Sequence, residues 1–552
     1  MITVMKRYIT LAVTAVFCWS AASAQQESLP SRSMTIEGAY NPTMTSTDKI
    51  LPVPERTASE HKAAPVSYLT DANPMPAQQM ERAPMGAFSE SSDDIIPSRY
   101  SGLIRFGYGL RNSHDGLADF DWRISERDEL KVSGLMDAWA STPSGNWKSR
   151  MFNADLGAVY THRFDAFSVS VDGAIGHSHF NYRPGVYQDS VKKAKDSLLQ
   201  GVFRAQAGLS VSGTADDVEW YFGAAMQWLS RDGLKIGGVS TSNRERLLRI
   251  EGGMSMPLME GIGGIDYRQK TAMYDWRSLY GSKYTDFTTL TFSPYWKRSW
   301  GSLDARLGVN LDIRTKAGYK VLLSPMATAT YGVSDRVKLF AGLTGGLQDN
   351  NMRALSAVSP YWSEQERIRD GYTLADLSVG ASYSQGTWLT FSAKGGYRHT
   401  IDDLFQTVSD SLIVSSCLVQ QGSDVFYARL DADMLVRERF EARMDLTLNG
   451  YAGKYKAGTL AFKPVVDASL FGKANIMPHL DAMLTYRLLM FGKVDGKRMP
   501  AVNDLALTLD YDFRPNLSFY LTANRLVGGD WYYYAGYRAL KPALLLGATY
   551  RF

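Results

Sequence analysis

Apolar and polar side chains alternate over most of the chain from residue 100 onward. In residues 505–513 the apolar positions alternate with Ala506, Thr508, Asp510 and Asp512. A period of two is that of a β-strand, and charges on the second face indicate that one side meets lipid while the other meets water. Many of these runs reach about 11 to 16 residues, long enough to cross a membrane at a tilt, whereas soluble strands usually have about five or six.

The connections between these runs alternate in length, and counting the runs gives about 22 strands. Tight turns such as 334–336 and 514–516 follow even-numbered strands, whereas longer connections such as 183–197 and 401–424 follow odd-numbered strands and are expected to be surface loops. Short turns belong on the periplasmic side of outer-membrane barrels and long loops outside. The sequence therefore predicts an all-β fold, a transmembrane antiparallel β-barrel over residues 100–552 with both of its ends in the periplasm.

Both ends of the chain indicate a bacterial outer-membrane protein. Residues 1–24 are expected to be a signal peptide, since Lys6 and Arg7 precede a short apolar run and Ala22-Ser23-Ala24 has the form of a cleavage site. The last run, 542–552, is a strand with an apolar face that ends at a terminal aromatic residue. The residues on that face are Leu544, Leu546, Ala548, Tyr550 and Phe552.

Residues 25–99 have a different character from the rest of the chain. They are rich in proline, which interrupts both helix and sheet, and are predicted to be an irregular N-terminal segment in the periplasm or the barrel lumen. One stretch, 34–52, could be a docking peptide that adds to a sheet edge, and the alternative is a plain linker. The residues proposed for docking are Ile36, Glu37, Tyr40, Asn41, Pro42, Asp48 and Ile50.

Composition supports the same class of protein and excludes others. The chain is 45% apolar and 12% aromatic, with 31 Tyr and a mean hydropathy of −0.22, as suits a barrel with a polar lumen. A formal net charge of +4 does not indicate a nucleic-acid partner. After removal of the signal peptide Cys417 would be the one cysteine, so neither a disulfide nor a cysteine-based metal site is expected within the chain.

The C-terminal region carries a family resemblance. It contains Leu521-Thr-Ala-Asn524-Arg-Leu526, the aromatic run Trp531–Tyr534, Gly536-Tyr537, and the ending Gly547-Ala-Thr-Tyr550-Arg-Phe552. This order resembles the end of TonB-dependent receptor barrels, in the style of the Bacteroidota. The resemblance implies an outer-membrane barrel of 22 strands. Such receptors also carry a folded plug of well over a hundred residues, whereas only 25–99 precede the predicted barrel here, so a standard plug is not expected.

A barrel of about 22 strands encloses a wide lumen that is normally filled. The inward positions of the strands near 425–445 carry charges of both signs, which we interpret as an internal lattice of hydrogen bonds and ion pairs, with a substrate path as the alternative. The predicted lumen-facing charges are Arg429, Asp431, Asp433, Arg443 and Asp445.

No catalytic constellation is recognisable. His177 and His179 share one face of a strand while Ser178 faces the other side, so neither a Ser–His pair nor a third metal ligand is evident. No enzyme activity, cofactor or metal is predicted. Several aromatic residues near strand ends are expected to form the membrane-interface girdles, although ligand-binding loops would have a similar sequence. They are Trp276, Trp296, Trp300, Trp362, Trp388 and Trp531–Tyr534.

Two functions remain from the sequence. The first is an outer-membrane transporter or channel related to TonB-dependent receptors but lacking the plug. The second is a structural barrel subunit of a multi-protein outer-membrane machine for secretion, assembly or lipoprotein traffic, which docks partners through residues 25–99. The expected partners are outer-membrane lipid and lipopolysaccharide, and periplasmic or outer-membrane proteins, with no nucleic acid.

Overall fold

The part of the chain that the structure describes is built almost entirely of β-strands. A computed structural model describes residues 101–141, 149–184, 198–232, 235–236, 239–240, 243–276, 286–315, 321–363, 369–386, 388–410, 413–436, 439–455, 458–494, 497–527 and 529–552. All of them belong to one structural unit. The signal peptide, the proposed docking segment and the rest of 25–99 lie outside the described residues.

The strands form a closed antiparallel barrel of 22 strands, here numbered β1 to β22. In chain order their bounds are Gly102–Gly109, Ser113–Arg123, Asp128–Ser141, Ser149–Arg163, Phe167–Asn181, Leu199–Ala215, Val218–Arg231, Asn243–Leu258, Gly261–Trp276, Phe287–Trp300, Leu303–Arg314, Val321–Gly332, Val337–Gln348, Gly371–Gln385, Leu389–Asp410, Ile413–Val436, Phe440–Ala452, Pro464–Met477, Leu480–Phe491, Val502–Arg514, Leu517–Asn524 and Ala543–Arg551.

The barrel closes by pairing its last strand with its first. Strand β22 lies antiparallel to β1, with Arg551 opposite Leu103. The backbone N–H groups of Ser101 and Gly102 donate to the carbonyl oxygen of Phe552 at 2.8 and 3.1 Å. Closure leaves no strand edge exposed, as a sheet in lipid requires. The predicted fold class and strand number are confirmed.

The alternation of faces predicted for the strands is also present. On β22, Leu546 and Phe552 are exposed at 63% and 41%, whereas Leu545 and Thr549 on the other face are buried. Trp122 near the end of β2 is exposed in the same way. A barrel whose outer face is covered with exposed apolar side chains is a membrane barrel. Among the described residues, no helix has both the length and the apolar character needed to cross a membrane.

The connection lengths follow the predicted parity with two exceptions. The turns after even-numbered strands are short, for example 259–260 and 515–516, and most connections at the other end of the barrel are longer. We assign the long-connection end to the cell exterior. One exception is the three-residue connection 110–112 between β1 and β2. The other is 401–424, which was expected to be a surface loop. That expectation is wrong, because β15 and β16 continue through it as a paired hairpin with only 411–412 between them.

The upper part of this hairpin, 401–424, contributes several buried side chains. Phe405 packs against the ring of Tyr455, with ring centroids 5.8 Å apart, and is fully buried together with Leu418. Two short strands, Arg183–Pro184 and Trp362–Ser363, pair with residues of β16 above the barrel. Of the predicted surface loop 183–197, the structure describes only residues 183–184.

The connections contain a few further elements. The single α-helix of the described residues, α1, spans Met352–Val358. Two short 3₁₀ turns span Leu110–Asn112 and Thr459–Phe462. Short two-stranded hairpins pair Lys235–Ile236 with Val239–Ser240, Lys493–Val494 with Lys497–Arg498, and Tyr532–Tyr534 with Tyr537–Arg538.

One tyrosine spans the closing seam. Tyr520 on β21 lies against Gly547 of β22 and Gly107 of β1, where any larger residue would collide with its ring. Its hydroxyl donates to Asp115 Oδ1 on β2 at 2.5 Å, and the guanidinium carbon of Arg105 lies 3.6 Å from the ring centroid. A single side chain thus links the last two strands to the first two, on the face opposite the lipid.

Replacing Gly547 with alanine should weaken the seam. A Cβ at this position would stand 2.2 Å from Cζ of Tyr520, so the ring must move and its bond to Asp115 is lost. Clashes of this kind usually cost about 1–3 kcal/mol. The temperature at which the folded barrel unfolds in a heat-modifiability gel should fall. The matched control is Gly472→Ala on β18, where a Cβ meets nothing within 4 Å; an equal fall in both variants would contradict the role given to the seam.

Candidate functional site: the capped mouth of the barrel

Two long connections fold into the mouth of the barrel at its exterior end. The connection 349–370 joins β13 to β14, and the connection 525–542 joins β21 to β22. Together they contact the ends of strands around the whole ring, including β5, β7, β8, β16 and β20, which a segment outside the ring could not do. We call the described residues of these two connections the cap.

The two halves of the cap meet in an aromatic core. Tyr361 from the first connection stacks on Tyr537 from the second, with ring centroids 3.6 Å apart and planes at 8°. Tyr534 and Phe180 of β5 contact Tyr361 edge-on. Burial raises the pKa of both Tyr361 and Tyr537 far above the ordinary value for tyrosine, so both rings stay neutral. The stacked pair of rings is therefore uncharged at any physiological pH.

Arg231 at the end of β7 ties the cap to the wall six strands away from β13, where the first connection begins. Its Nη2 donates to the carbonyl oxygens of Trp362 at 3.0 Å and Pro360 at 3.3 Å, and also to the hydroxyl of Tyr182. The guanidinium lies 4.9 Å from the Trp362 ring centroid, within the range of a cation–π contact. Tyr182 in turn donates its hydroxyl hydrogen to the Trp362 carbonyl at 2.9 Å. One buried arginine thus satisfies two carbonyls of a segment that begins six strands away along the ring.

This arrangement corrects part of the predicted girdle. Trp300 and Trp388 are about two-fifths exposed near strand ends, as girdle residues should be. Trp362 is fully buried in the cap core, and Trp531, Tyr533 and Tyr534 are buried with it, so the girdle assignment is wrong for these four. The physical reason is that their connections turn inward, where aromatic rings pack on one another instead of on lipid head groups.

The helix α1 is anchored at its first turn. Asn351 caps it by accepting from the backbone N–H of Ala354 at 2.8 Å, and Glu245 of β8 accepts from the N–H of Met352 at 2.7 Å. Arg353 donates to the neutral amide oxygen of Gln206 on β6 at 3.1 Å. Burial lowers the pKa of Arg353, and the nearby cations Arg204 and Arg249 lower it further. The carboxylates Asp155 and Glu245 act in the opposite direction, so charges of both signs lie around Arg353.

Below α1, three cations form a single row on the wall. Arg249 of β8 stands opposite Lys270 of β9, which stands opposite Thr289 of β10, which stands opposite Arg314 of β11. The row, which we call the cation row, crosses four adjacent strands and contains no carboxylate of its own. Lys270 and Arg314 are almost fully buried. Three cations this close together require counterions.

Two aspartates of the connection 349–370 supply these counterions. Asp370, at its end, accepts from Lys270 Nζ at 3.1 Å, from Arg314 Nη2 at 2.7 Å and from the N–H of Asn350 at 2.9 Å. Asp349, at its start, accepts from Lys270 Nζ and from Arg249 Nη2 at 3.3 Å. Both roots of the connection are thereby held on one lysine. We call Asp349, Asp370 and the cation row the latch.

Asp349 of the latch stays charged at ordinary pH. Burial raises the pKa of the Asp349 carboxyl, but Lys270 and Arg249 beside it more than offset burial, and the pKa lies below the ordinary value. A carboxyl whose pKa is depressed on folding stabilises the folded form above its unfolded pKa, about 3.9, and loses that effect only as the pH falls through the lower folded value. The contribution of Asp349 is therefore complete at neutral and mildly acidic pH.

The predicted lumen charges lie elsewhere, on β16 and β17, and pair with one another. Arg429 Nε lies 2.7 Å from Asp431 Oδ1, and its Nη2 lies 3.5 Å from Asp445 Oδ1. Arg443 Nε lies 3.8 Å from Asp433 Oδ1. The strand register brings them together, since Asp431 is opposite Asp445 and Asp433 is opposite Arg443. The seven proposed docking residues, from Ile36 to Ile50, lie outside the described residues.

The histidine cluster does not form a metal site. His177 and His179 have ring centroids 6.0 Å apart, and His179 stacks on Phe152. Ser178 accepts a hydrogen bond from Arg204 Nη1 at 2.6 Å on the other face. Within the described part of the chain, no group of three or more His, Cys, Asp or Glu side chains is placed to hold a metal ion.

Sequence reasoning missed the latch. Lys270 and Arg314 fit the alternating pattern of lumen charges, and nothing in that pattern sets them apart from Arg429 or Arg443. The available signal was the long connection 349–370, which begins and ends with an aspartate and contains two adjacent large aromatic residues. Charged residues at both roots of a long loop with an aromatic centre suit a segment that folds inward.

Comparisons with known proteins give the fold. No protein-family model and no curated protein matches the chain. The siderophore receptor PirA from Acinetobacter baumannii is similar in structure at 11% identity, covering 82% of this chain and 80% of that chain, with a TM-score of 0.62. The FrpB iron transporter from Neisseria meningitidis is similar at 12% identity over 83% and 82% of the two chains, with a TM-score of 0.61. The copper transporter OprC is similar at 11% identity over 82% and 80%, with a TM-score of 0.59.

At this identity the comparisons show a shared fold. The chain has the 22-strand barrel of TonB-dependent receptors, which confirms the resemblance seen in the C-terminal sequence. Together with the exposed apolar outer face, this fold places the protein in the bacterial outer membrane.

Replacing Tyr361 with alanine should loosen the cap and leave the barrel intact. The substitution removes the stack on Tyr537 and the edge contacts, and truncation of a buried aromatic residue costs about 3–5 kcal/mol. Trypsin should then cut after Arg353 in detergent-solubilised protein, while the heat-modifiability transition changes little. Trp388→Ala, which truncates an exposed aromatic residue at the other end of the barrel, is the control and should not alter cleavage. Unchanged resistance of the Tyr361 variant would argue against an aromatic core that holds the cap.

Proposed function

We propose that the protein is an outer-membrane transporter whose exterior mouth is closed by the cap and opens when the latch is released. The observation that carries this proposal is the latch itself. Lys270 on the wall holds both Asp349 and Asp370, so one buried cation fixes both roots of the segment that crosses the mouth. A closure attached to the wall by ion pairs can be released as a unit.

The barrel fold supports transport as the function. The structures similar to this chain are named as receptors or transporters of siderophores, iron and copper. These proteins are named for different cargoes although they share one barrel fold. The fold therefore does not determine the cargo, which depends on the residues of the binding site. The proposal therefore concerns passage through a gated barrel, and the cargo has to be inferred from the residues under the cap.

The remaining parts of the chain have proposed roles in this scheme. The five charges Arg429, Asp431, Asp433, Arg443 and Asp445 are proposed to line the lumen wall as a self-neutralised lattice, since each arginine has at least one carboxylate within 4.0 Å. Residues 1–24 are proposed to be a signal peptide. Residues 25–99 are proposed to be a periplasmic segment that connects the barrel to a protein partner through 36–50.

Removing the carboxylates of the latch should open the mouth. In the double variant Asp349→Asn and Asp370→Asn, three cations lose the carboxylates that pair with them, and breaking a buried ion pair costs about 3–5 kcal/mol. Since about 1.4 kcal/mol is tenfold in an equilibrium, the open population should rise by more than about a hundredfold. Purified wild-type barrel in a planar bilayer should be almost silent, and the variant should conduct.

The control is Asp467→Asn, which breaks the ion pair with Arg487 between β18 and β19 and leaves the latch untouched. It should remain silent. Because the Asp349 contribution is complete down to about pH 4, lowering the pH from 8 to about 5 should leave the wild-type barrel closed. If the latch variant is folded, as judged by heat-modifiability, and conducts no more than the wild type, the proposed gate is refuted.

A second candidate is a structural barrel within a multi-protein outer-membrane machine. The observation that favours it is the same sealed mouth, because a barrel that conducts nothing can serve as an anchor for partners. In that case the segment 25–99 is the functional part of the protein and the barrel is its membrane support.

Deleting residues 25–60 separates these two candidates. The barrel should fold normally in either case, because residues 101–552 contain all 22 strands. A pulldown in mild detergent, followed by mass spectrometry, should show stoichiometric partners that are lost on deletion if the protein is part of a machine. Partners that are retained after the deletion would refute docking through 36–50. A barrel that no longer folds would make the segment a structural part of the barrel.

A further inference from the structure

The cation row differs from the other charged regions of the wall. Arg249, Lys270 and Arg314 stand on adjacent or next-adjacent strands at one level, with Thr289 completing the row. Their carboxylate partners in the row, Asp349 and Asp370, both come from the cap and none from the wall at that level. When the cap leaves, the three cations lose these two partners. The wall carboxylate Asp312 lies two residues from Arg314 on the same face of β11, but within the described residues it forms no ion pair with the row.

The way in which the two aspartates are held has the form of a ligand site. Asp370 is bound through one oxygen by Lys270 and Arg314 together, and Asp349 is bound by Lys270 and Arg249. The Lys270 ammonium thus binds both carboxylates, and each carboxylate is also bound by one guanidinium. Hydrogen bonds from cations to carboxylates are about twice as strong as neutral ones, and a row of this kind selects a ligand with two carboxylates at a fixed separation.

The site also has donor capacity that the two aspartates leave unused. Within the described residues, the buried Nε groups of Arg249 and Arg314 have no hydrogen-bond partner. A ligand with more carboxylate oxygens than two aspartate side chains could use these donors.

We propose that the cation row Arg249–Lys270–Arg314 is a binding site for a ligand that carries two or more carboxylates, and that Asp349 and Asp370 occupy it as built-in substitutes until such a ligand displaces them. This inference rests on the proposed gate, because displacement of the two aspartates releases both roots of the cap segment. It adds the chemical class of the cargo, a polycarboxylate, which the fold does not give.

The carboxylates of the ligand compete with Asp349 and Asp370 for the cation row, so binding of the ligand favours the open form of the barrel. A ligand can shift the cap only by the difference between its affinities for the open and closed forms. The closed form has its carboxylate positions filled, so a polycarboxylate binds the open form almost exclusively. Its apparent affinity for the wild type is reduced by the small fraction of open barrels, and removing the two aspartates restores it.

Citrate, with three carboxylates on a short chain, is the probe for this site. Isothermal titration calorimetry of citrate into purified barrel should give binding to the double variant Asp349→Asn and Asp370→Asn at least about tenfold tighter than to the wild type. Acetate, with one carboxylate, should bind neither measurably. Adding Lys270→Met to the double variant should abolish citrate binding. Equal citrate affinity of the wild type and the double variant would overturn the proposal, as would binding that survives Lys270→Met.

A second variant keeps the test informative if the double variant does not fold. Asp349→Asn alone leaves Asp370 with both of its cations, so the barrel and much of the latch are retained, and citrate should still bind more tightly than to the wild type. Asp467→Asn, on a different part of the wall, should bind citrate as the wild type does. The outcomes separate the two proposals. A variant that conducts but binds no citrate refutes the polycarboxylate site alone, and a variant that binds citrate but never conducts refutes the gate alone.

Discussion

The need to satisfy every backbone hydrogen bond within the lipid determines the rest of this structure. An open sheet edge is not tolerated in a membrane, so the 22 strands close on themselves through β1 and β22. Closure at this strand number produces a ring too wide for the wall side chains to fill. Two consequences follow: the seam needs reinforcement, which Tyr520 provides by reaching Asp115 across two strands, and the mouth needs a separate closure, which the cap provides.

The cap closes the mouth with two kinds of interaction that serve different ends. Its aromatic core, with Tyr361 on Tyr537, joins two connections that start on well-separated parts of the ring and supplies most of the buried apolar surface. The latch adds little stability beyond what apolar packing could give, because the cost of desolvating buried charges offsets much of their attraction. Its effect is on specificity: a charged attachment can be displaced by a charged ligand, whereas an apolar attachment would offer the same ligand nothing to bind.

The strands could be predicted from the sequence because their signal is local. Apolar and polar residues alternate within each strand, and the two faces at Leu545 and Leu546 can be identified from their neighbours alone. The cap could not be predicted in this way. Arg231 meets Trp362 across 131 residues of sequence, and Lys270 meets Asp370 across 100. An aromatic residue near a strand end is equally consistent with a girdle facing lipid and a core facing inward, and only the path of the connection decides between them.

The two charged regions of the wall show why residue type alone does not identify a site. Arg429 and Arg443 have their carboxylates on the same or the adjacent strand, so their charge is balanced whatever the loops do. Arg249, Lys270 and Arg314 take their carboxylates from a segment that crosses the mouth, so their balance depends on the position of that segment. A self-balanced group of charges stabilises the wall in every state of the barrel. A group whose counterions come from a movable segment is balanced only while that segment is in place. Any anion that can replace those counterions therefore favours the state in which the segment has moved away.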